Sequence, residues 1–146
     1  MPRVALGSAA VSPAIPPRGC YRVQVLVAGR QKRWRDEVSA QIRQTGYQVT
    51  VCENGLDAMA VLALGLPLDV MVVDASLEGR LCCSRLAQEA RALRPSLRVV
   101  LACDMTEAER ETADQMPDAL IVAKDHRAGA VASIVREALA VPMHDI

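Results

Sequence analysis

From Val23 onward, short apolar runs alternate with segments whose apolar residues recur every three or four positions. Val23 to Ala28 is a continuous apolar-rich run ended by Gly29, and it predicts a first strand. A helix is predicted from about Lys32 to Thr45, where Trp34, Val38 and Ile42 form one stripe and Gly46 supplies the closing residue. Tyr47 to Cys52 alternates apolar and polar, as an edge or half-covered strand does. Asn54-Gly55 predicts a turn, and a second helix follows with Leu56, Met59 and Leu62 inward, stopped by Gly65 and Pro67. Val70 to Val73 is apolar at every position, the pattern of a strand covered on both faces, and it stops at Asp74.

A third helix is predicted from about Cys82 to Leu93, with Pro95 as its stop, and Leu97 to Cys103 as the fourth strand. Thr106 followed by Glu109 has the spacing of a capping box, and Pro117 ends the short helix it opens. Leu120 to Ala123 is the fifth strand, ending at Lys124. The last helix carries Val131, Ile134, Val135 and Leu139 on one face. Five strands in strict alternation with five helices predict a doubly wound α/β domain with a parallel sheet. Ligands of such sheets sit at the carboxyl ends of the strands, at the switch in strand order. The residues there are Gly29, Arg30, Asp74, Ala102, Cys103 and Lys124.

Composition narrows the reading. The 146 residues fit one domain plus a tail. We place a disordered leader at 1–20, the domain at 21–141 and a short tail at 142–146. Pro13, Pro16 and Pro17 interrupt the leader, so it lacks the continuous apolar stretch of a signal peptide. No apolar run approaches the ~18 residues of a membrane span, and the formal net charge of zero leaves no bulk footprint for nucleic acid. A cytoplasmic protein is expected. Only Lys32 and Lys124 are lysines among 17 basic residues, which makes a lysine at a strand end informative. There is no phenylalanine, so Val, Leu, Ile, Ala and Met must build the core.

Cys20, Cys52, Cys82, Cys83 and Cys103 are odd in number and form no C-x-x-C. Buried thiols in a reducing compartment fit best. His126 and His144 stand at no zinc-ligand spacing from them.

Taken in order, several segments resemble the response-regulator receiver family, the CheY-like domains. Thr45-Gly46-Tyr47 through Glu53-Asn54-Gly55 to Ala58 is similar to the family's second-strand pattern. Asp69 to Asp74 resembles its third strand, and Val99 to Cys103 its fourth. Lys124 falls where the family keeps a lysine, and the likeness spans roughly Arg22 to Leu139. It implies a flavodoxin-like sheet of order 2-1-3-4-5, with Asp74 at the phosphoacceptor position. In the family a Mg²⁺ ion, held by two acidic residues after the first strand and by the acceptor, meets the charge of the phosphoryl group.

This chain departs from that pattern. The acidic pair falls on Gly29 and Arg30, the strand-four hydroxyl on Ala102, the aromatic switch near Ile121, and the proline after the lysine on Asp125. We therefore expect no Mg²⁺, no catalysis, and a stand-alone atypical receiver of bacterial two-component signalling. Its partner would be a sensor kinase, a regulator or a second copy, met through the helix 4–strand 5–helix 5 face. Asp74 is either a phosphoacceptor or a carboxylate held by Lys124, and a guanidinium at Arg30 would suit the place of the ion. The competing expectation is an anion, small-ligand or redox sensor in the vacated pocket. A small flavodoxin-like enzyme ranks last, because no Gly-rich phosphate loop is present.

Overall fold

The computed structural model describes residues 23–104, 106–124 and 128–140. The proposed leader and tail, and Cys20, Asp125, His126 and His144, lie outside the described residues. The elements run β1 (Gln24–Ala28), α1 (Lys32–Gln44), β2 (Gln48–Cys52), α2 (Gly55–Ala63), β3 (Val70–Asp74), α3 (Cys83–Leu93), β4 (Arg98–Cys103), α4 (Glu107–Asp114), β5 (Leu120–Ala123) and α5 (Ala128–Ala140). All strands are parallel, in the order β2-β1-β3-β4-β5. The predicted fold class and strand order are both present.

Each strand divides its residues between two cores because successive side chains point to opposite faces. Leu26, Met71, Val73, Val99 and Leu101 pack with Leu62, Leu86 and Ala90 under α2 and α3. Val25, Val27, Val70, Val72 and Val100 pack with Val38, Ile42, Val131 and Val135 under α1 and α5. β3 is buried at every residue, as its unbroken apolar run requires. The end of β3 lies between the end of β1 and Ala102 of β4, so Asp74 stands at the switch point of the sheet.

Local signals account for the helix ends. Gly46 takes φ +95°, a value that L side chains rarely adopt, and stops α1. The Asn54 side chain accepts from the Asp57 N–H at 2.8 Å, so the predicted turn is also the N-cap of α2. The Thr106 hydroxyl accepts from the Glu109 N–H at 3.2 Å, which is half of the predicted capping box. The other half is rerouted: Glu109 Oε1 accepts from the Asp104 N–H at 2.7 Å.

Two expectations about helix faces need correction. Leu56 does not point inward; it is 62% exposed, and the inner face of α2 is Gly55, Ala58 and Leu62. The cause is Gly55. A Cβ there would collide with the Leu81 backbone carbonyl, so the chain before α3 seats directly on the start of α2 and turns Leu56 outward. On α1 the buried positions are Arg35, Val38, Ser39 and Ile42. Trp34 flanks that stripe and only partly joins the core.

Candidate functional site

Asp74 is completely buried at the end of β3. Its Oδ1 accepts three hydrogen bonds: from the Ser76 N–H at 2.9 Å, the Ser76 hydroxyl at 2.9 Å and Lys124 Nζ at 2.8 Å. Oδ2 is buried with no hydrogen-bond partner. Lys124 reaches the carboxylate from the end of β5, where its own N–H binds the Cys103 carbonyl. Its side chain is 7% exposed. Nζ also lies 3.5 Å from the Ser76 hydroxyl and 3.7 Å from Asp104 Oδ2. Burial pushes the Lys124 pKa down, but the hydrogen bond and charge of Asp74, with Asp104 and Glu109, outweigh it and leave the value raised.

The other predicted residues divide. Gly29 lies against the site: a Cβ there would come within 2.6 Å of the Trp34 ring and 3.3 Å of the Asp74 Cβ. Only glycine lets the indole close over the end of β1. Ala102 is the register partner of Asp74, and its carbonyl accepts from the Ala75 N–H at 2.8 Å, but its methyl offers no polar contact. Cys103 turns away from Asp74, with its thiol 3.9 Å from the Glu109 carbonyl.

Arg30 does not join Asp74. Its guanidinium pairs with Glu78 at 3.2 Å on the surface, with side chains 56% and 78% exposed. The guanidinium that does enter the β1–α1 turn is that of Arg35, which donates to the Gly29 carbonyl at 2.8 Å and the Arg30 carbonyl at 3.0 Å. The idea that Arg30 replaces the ion beside Asp74 is therefore overturned. Arg35 sits one helical turn before Val38 on the inner face of α1, so its side chain is directed at the turn, whereas Arg30 lies in an exposed turn.

Sequence reasoning missed Ser76, Arg35 and Asp104. Arg35 had a signal, being a charged residue in phase with the buried positions 38, 39 and 42. Ser76 had a weaker one: a serine two residues past a buried aspartate can fold its hydroxyl and N–H back onto the carboxylate. Asp104 had none, because its approach to Lys124 depends on the pairing of β4 with β5.

The donor set does not fit a divalent cation of the Mg²⁺ kind. Such an ion needs several oxygen ligands in a near-octahedral shell. Gly29 has no side chain, Arg30 is cationic and faces Glu78, and Asp74 Oδ1 is engaged by three donors, so the unpartnered Oδ2 is the one oxygen of these positions left for an ion. Among the described residues no three of His, Cys, Asp and Glu converge on one point. The thiols offer little reactivity near Asp74. Burial pushes Cys52 up to about 11 and Cys83 up to about 12, and it also raises Cys103. Cys82 is lowered by the Arg85 backbone N–H and the Ser84 hydroxyl at the start of α3.

No family model matches the sequence, and no curated protein does. Solved structures do match. A response regulator receiver protein from Sinorhizobium medicae WSM419 superposes with a TM-score of 0.73 at 22% identity, over 81% of this chain and 94% of that one. A CheY-like receiver domain protein from Methanospirillum hungatei JF-1 gives 0.71 at 15% identity, over 82% and 94%. The chemotaxis response regulator CheY4 of Vibrio cholerae gives 0.70 at 17% identity, over 82% and 100%. With the strand order, the switch-point aspartate and this likeness over four-fifths of its length, the chain carries the CheY-like fold of response-regulator receiver domains.

Proposed function

We propose that this chain is an atypical receiver of bacterial two-component signalling that acts by binding another protein, with Mg²⁺-dependent phosphorylation at Asp74 impaired or absent. The observation that carries this reading is the 2.8 Å pair between buried Asp74 and Lys124, completed by Ser76, at a site whose β1 end has no carboxylate. In phosphoryl transfer to a carboxylate, cations must meet charge on both the acceptor and the incoming group. Here one ammonium serves a carboxylate that is already bonded to it. The partner is a signalling protein, and the face offered by α4, β5 and α5 is available to it: α4 has no buried residue and Ile121 is 40% exposed. We place the protein in the cytoplasm; among the described residues, no helix is long and apolar enough to cross a membrane.

A sensor of anions or redox state in the same place has less support. The space beside Gly29 is filled by the Trp34 ring, an anion would meet the Asp74 carboxylate, and the buried thiols are held protonated.

The test is incubation with acetyl phosphate or beryllofluoride, with and without Mg²⁺, read by intact mass and by emission of Trp34, the one tryptophan of the chain. The expected result is no phosphoryl adduct and no Mg²⁺-dependent change in emission. An adduct that forms with Mg²⁺ and vanishes in Asp74→Asn would overturn the reading.

A further inference from the structure

The helix α2 carries one charged residue, Asp57, and is otherwise built from glycine, alanine, methionine, valine and leucine. A helix apolar on every side is normally covered on every side. Its inner face, Gly55, Ala58 and Leu62, is buried. Its outer face is not. Leu56, Ala60 and Leu64 follow at four-residue intervals and so share one stripe. Leu56 is 62% exposed, Leu64 is 72% exposed, and Ala60 between them is exposed as well. Leu66, 48% exposed, extends the apolar surface beyond the end of the helix.

We infer that this stripe is the contact surface of a homodimer, in which α2 packs antiparallel against α2 of a second copy across a dyad at Ala60. The stripe has the symmetry such a contact needs. Leu56 and Leu64 lie equally far from Ala60, so antiparallel pairing sets each leucine against its opposite number on the other copy, and the small central residue lets the two backbones approach. In an isologous contact the same patch meets itself, so it must be self-complementary. The charges comply. Pairing of this kind brings Asp57, near the start of one helix, to the C-terminal end of the other. Arg94 stands at that end, its Nη2 donating to the Leu62 carbonyl at 3.1 Å. Antiparallel helices also set opposite dipole ends side by side.

The face of α4 fails the same requirement. Glu107, Glu111 and Asp114 are exposed along it against one exposed cation, Arg110, so the face is net negative and a dyad there would set two acidic surfaces together. That face suits a partner of other composition, which leaves α2 for self-association. A nine-residue helix with a few flanking leucines is a small interface, so the dimer is reversible and depends on concentration. The inference stands apart from whether Asp74 accepts a phosphoryl group.

The experiment is sedimentation velocity over a concentration series up to roughly 500 µM, which captures affinities in the weak range. The wild-type chain is expected to shift from monomer toward dimer as concentration rises. Ala60→Arg, which sets two cations on the dyad, and Leu56→Gln are each expected to hold it monomeric with unchanged circular dichroism, since both positions are exposed. Ala60→Cys, with Cys20 and Cys82 changed to serine, is expected to give a covalent dimer on mild oxidation. A wild-type chain that stays monomeric throughout overturns the inference. So does a dimer that tolerates both Ala60→Arg and Leu56→Gln.

Discussion

Replacing Lys124 by methionine tests the centre of the site most directly. The substitution keeps an unbranched side chain, one atom shorter, and removes its charge. Asp74 is completely buried and Lys124 nearly so, so the remaining carboxylate has no route to water without local opening. Breaking a buried ion pair by removing one partner costs about 3–5 kcal/mol. Two donors survive, the Ser76 N–H and hydroxyl at 2.9 Å, and they keep the loss near the low end, at about 3 kcal/mol. For a domain of this size that is a fall in Tm of roughly 10–15 °C.

Asp74→Asn leaves an amide whose oxygen still accepts from Ser76 and Lys124, and Lys124 keeps Asp104 nearby. Its cost is about 1 kcal/mol. In that background Lys124→Met strands no buried charge and adds less than about 1 kcal/mol, so the double-mutant cycle should give a coupling of about 2 kcal/mol. The assay is urea unfolding at pH 7, followed in parallel by Trp34 emission and circular dichroism. Arg30→Met is the internal control, since its pair with Glu78 is exposed and is expected to contribute under about 0.5 kcal/mol. A Lys124→Met loss no larger than that of Arg30→Met, or singles that add to the double, would refute the argument that Asp74 is held by a buried cation.

Two further outcomes follow from the same geometry. Gly29→Ala places a methyl 2.6 Å from the Trp34 ring, so the indole must move, and its emission should shift red as it gains water; an unchanged spectrum would show that the ring does not close over β1. Thiol labelling near pH 8, mapped by peptide mass, should reach Cys82 well before Cys52, Cys83 and Cys103, because among the described cysteines only Cys82 is both partly exposed and lowered in pKa. The same raised thiols set the alkaline limit. Unfolded cysteines ionise near 9 while the folded Cys52 and Cys83 hold their protons to about 11 and about 12, so stability should fall as pH rises above 9. The raised Lys124 acts in the same direction. Its contribution is complete below lysine's ordinary 10.5 and is lost as pH rises through its folded value, so the stability gap between wild type and Lys124→Met should narrow only on the alkaline side of 10.5.

The fold was legible because it rests on periodicity, and each strand declared itself by an apolar run or alternation that tertiary packing had no reason to override. Val70 to Asp74 shows this: five buried residues, read as a strand covered on both faces, with the chemistry at its last position. The meeting of Asp74 with Lys124, 50 residues apart, followed from the strand ends and the family likeness together. What failed were side-chain directions in turns. Arg30 was placed beside Asp74 because a strand-end position fixes where a backbone is, but a long side chain in an open turn goes to its nearest carboxylate, here Glu78. Arg35 took the inner place because helical phase fixed its direction. Leu56 was misread since the depth of α2 depends on a backbone contact at Gly55 that no hydrophobic pattern encodes.

The way the site is closed also bears on how a signal could leave it. A modification at Asp74 can shift the molecule only if some element has two arrangements that differ in their interaction with it. The position opposite Asp74 on β4 is Ala102, whose carbonyl is tied to the Ala75 N–H and whose methyl has nothing to donate to a new group. On β5, Ile121 is partly exposed and branched, with no polar atom to follow a neighbouring hydroxyl. The loop after β1 is fastened by Arg35 to two carbonyls, the loop after β3 by Ser76 to Asp74, and the end of β5 by Lys124 to the same carboxylate. Two of these loops are thus tied to one buried aspartate, and the third is tied to its own helix beside it. If phosphorylation is impaired as proposed, a surface that does not change with it would still carry information through its concentration and through what it binds.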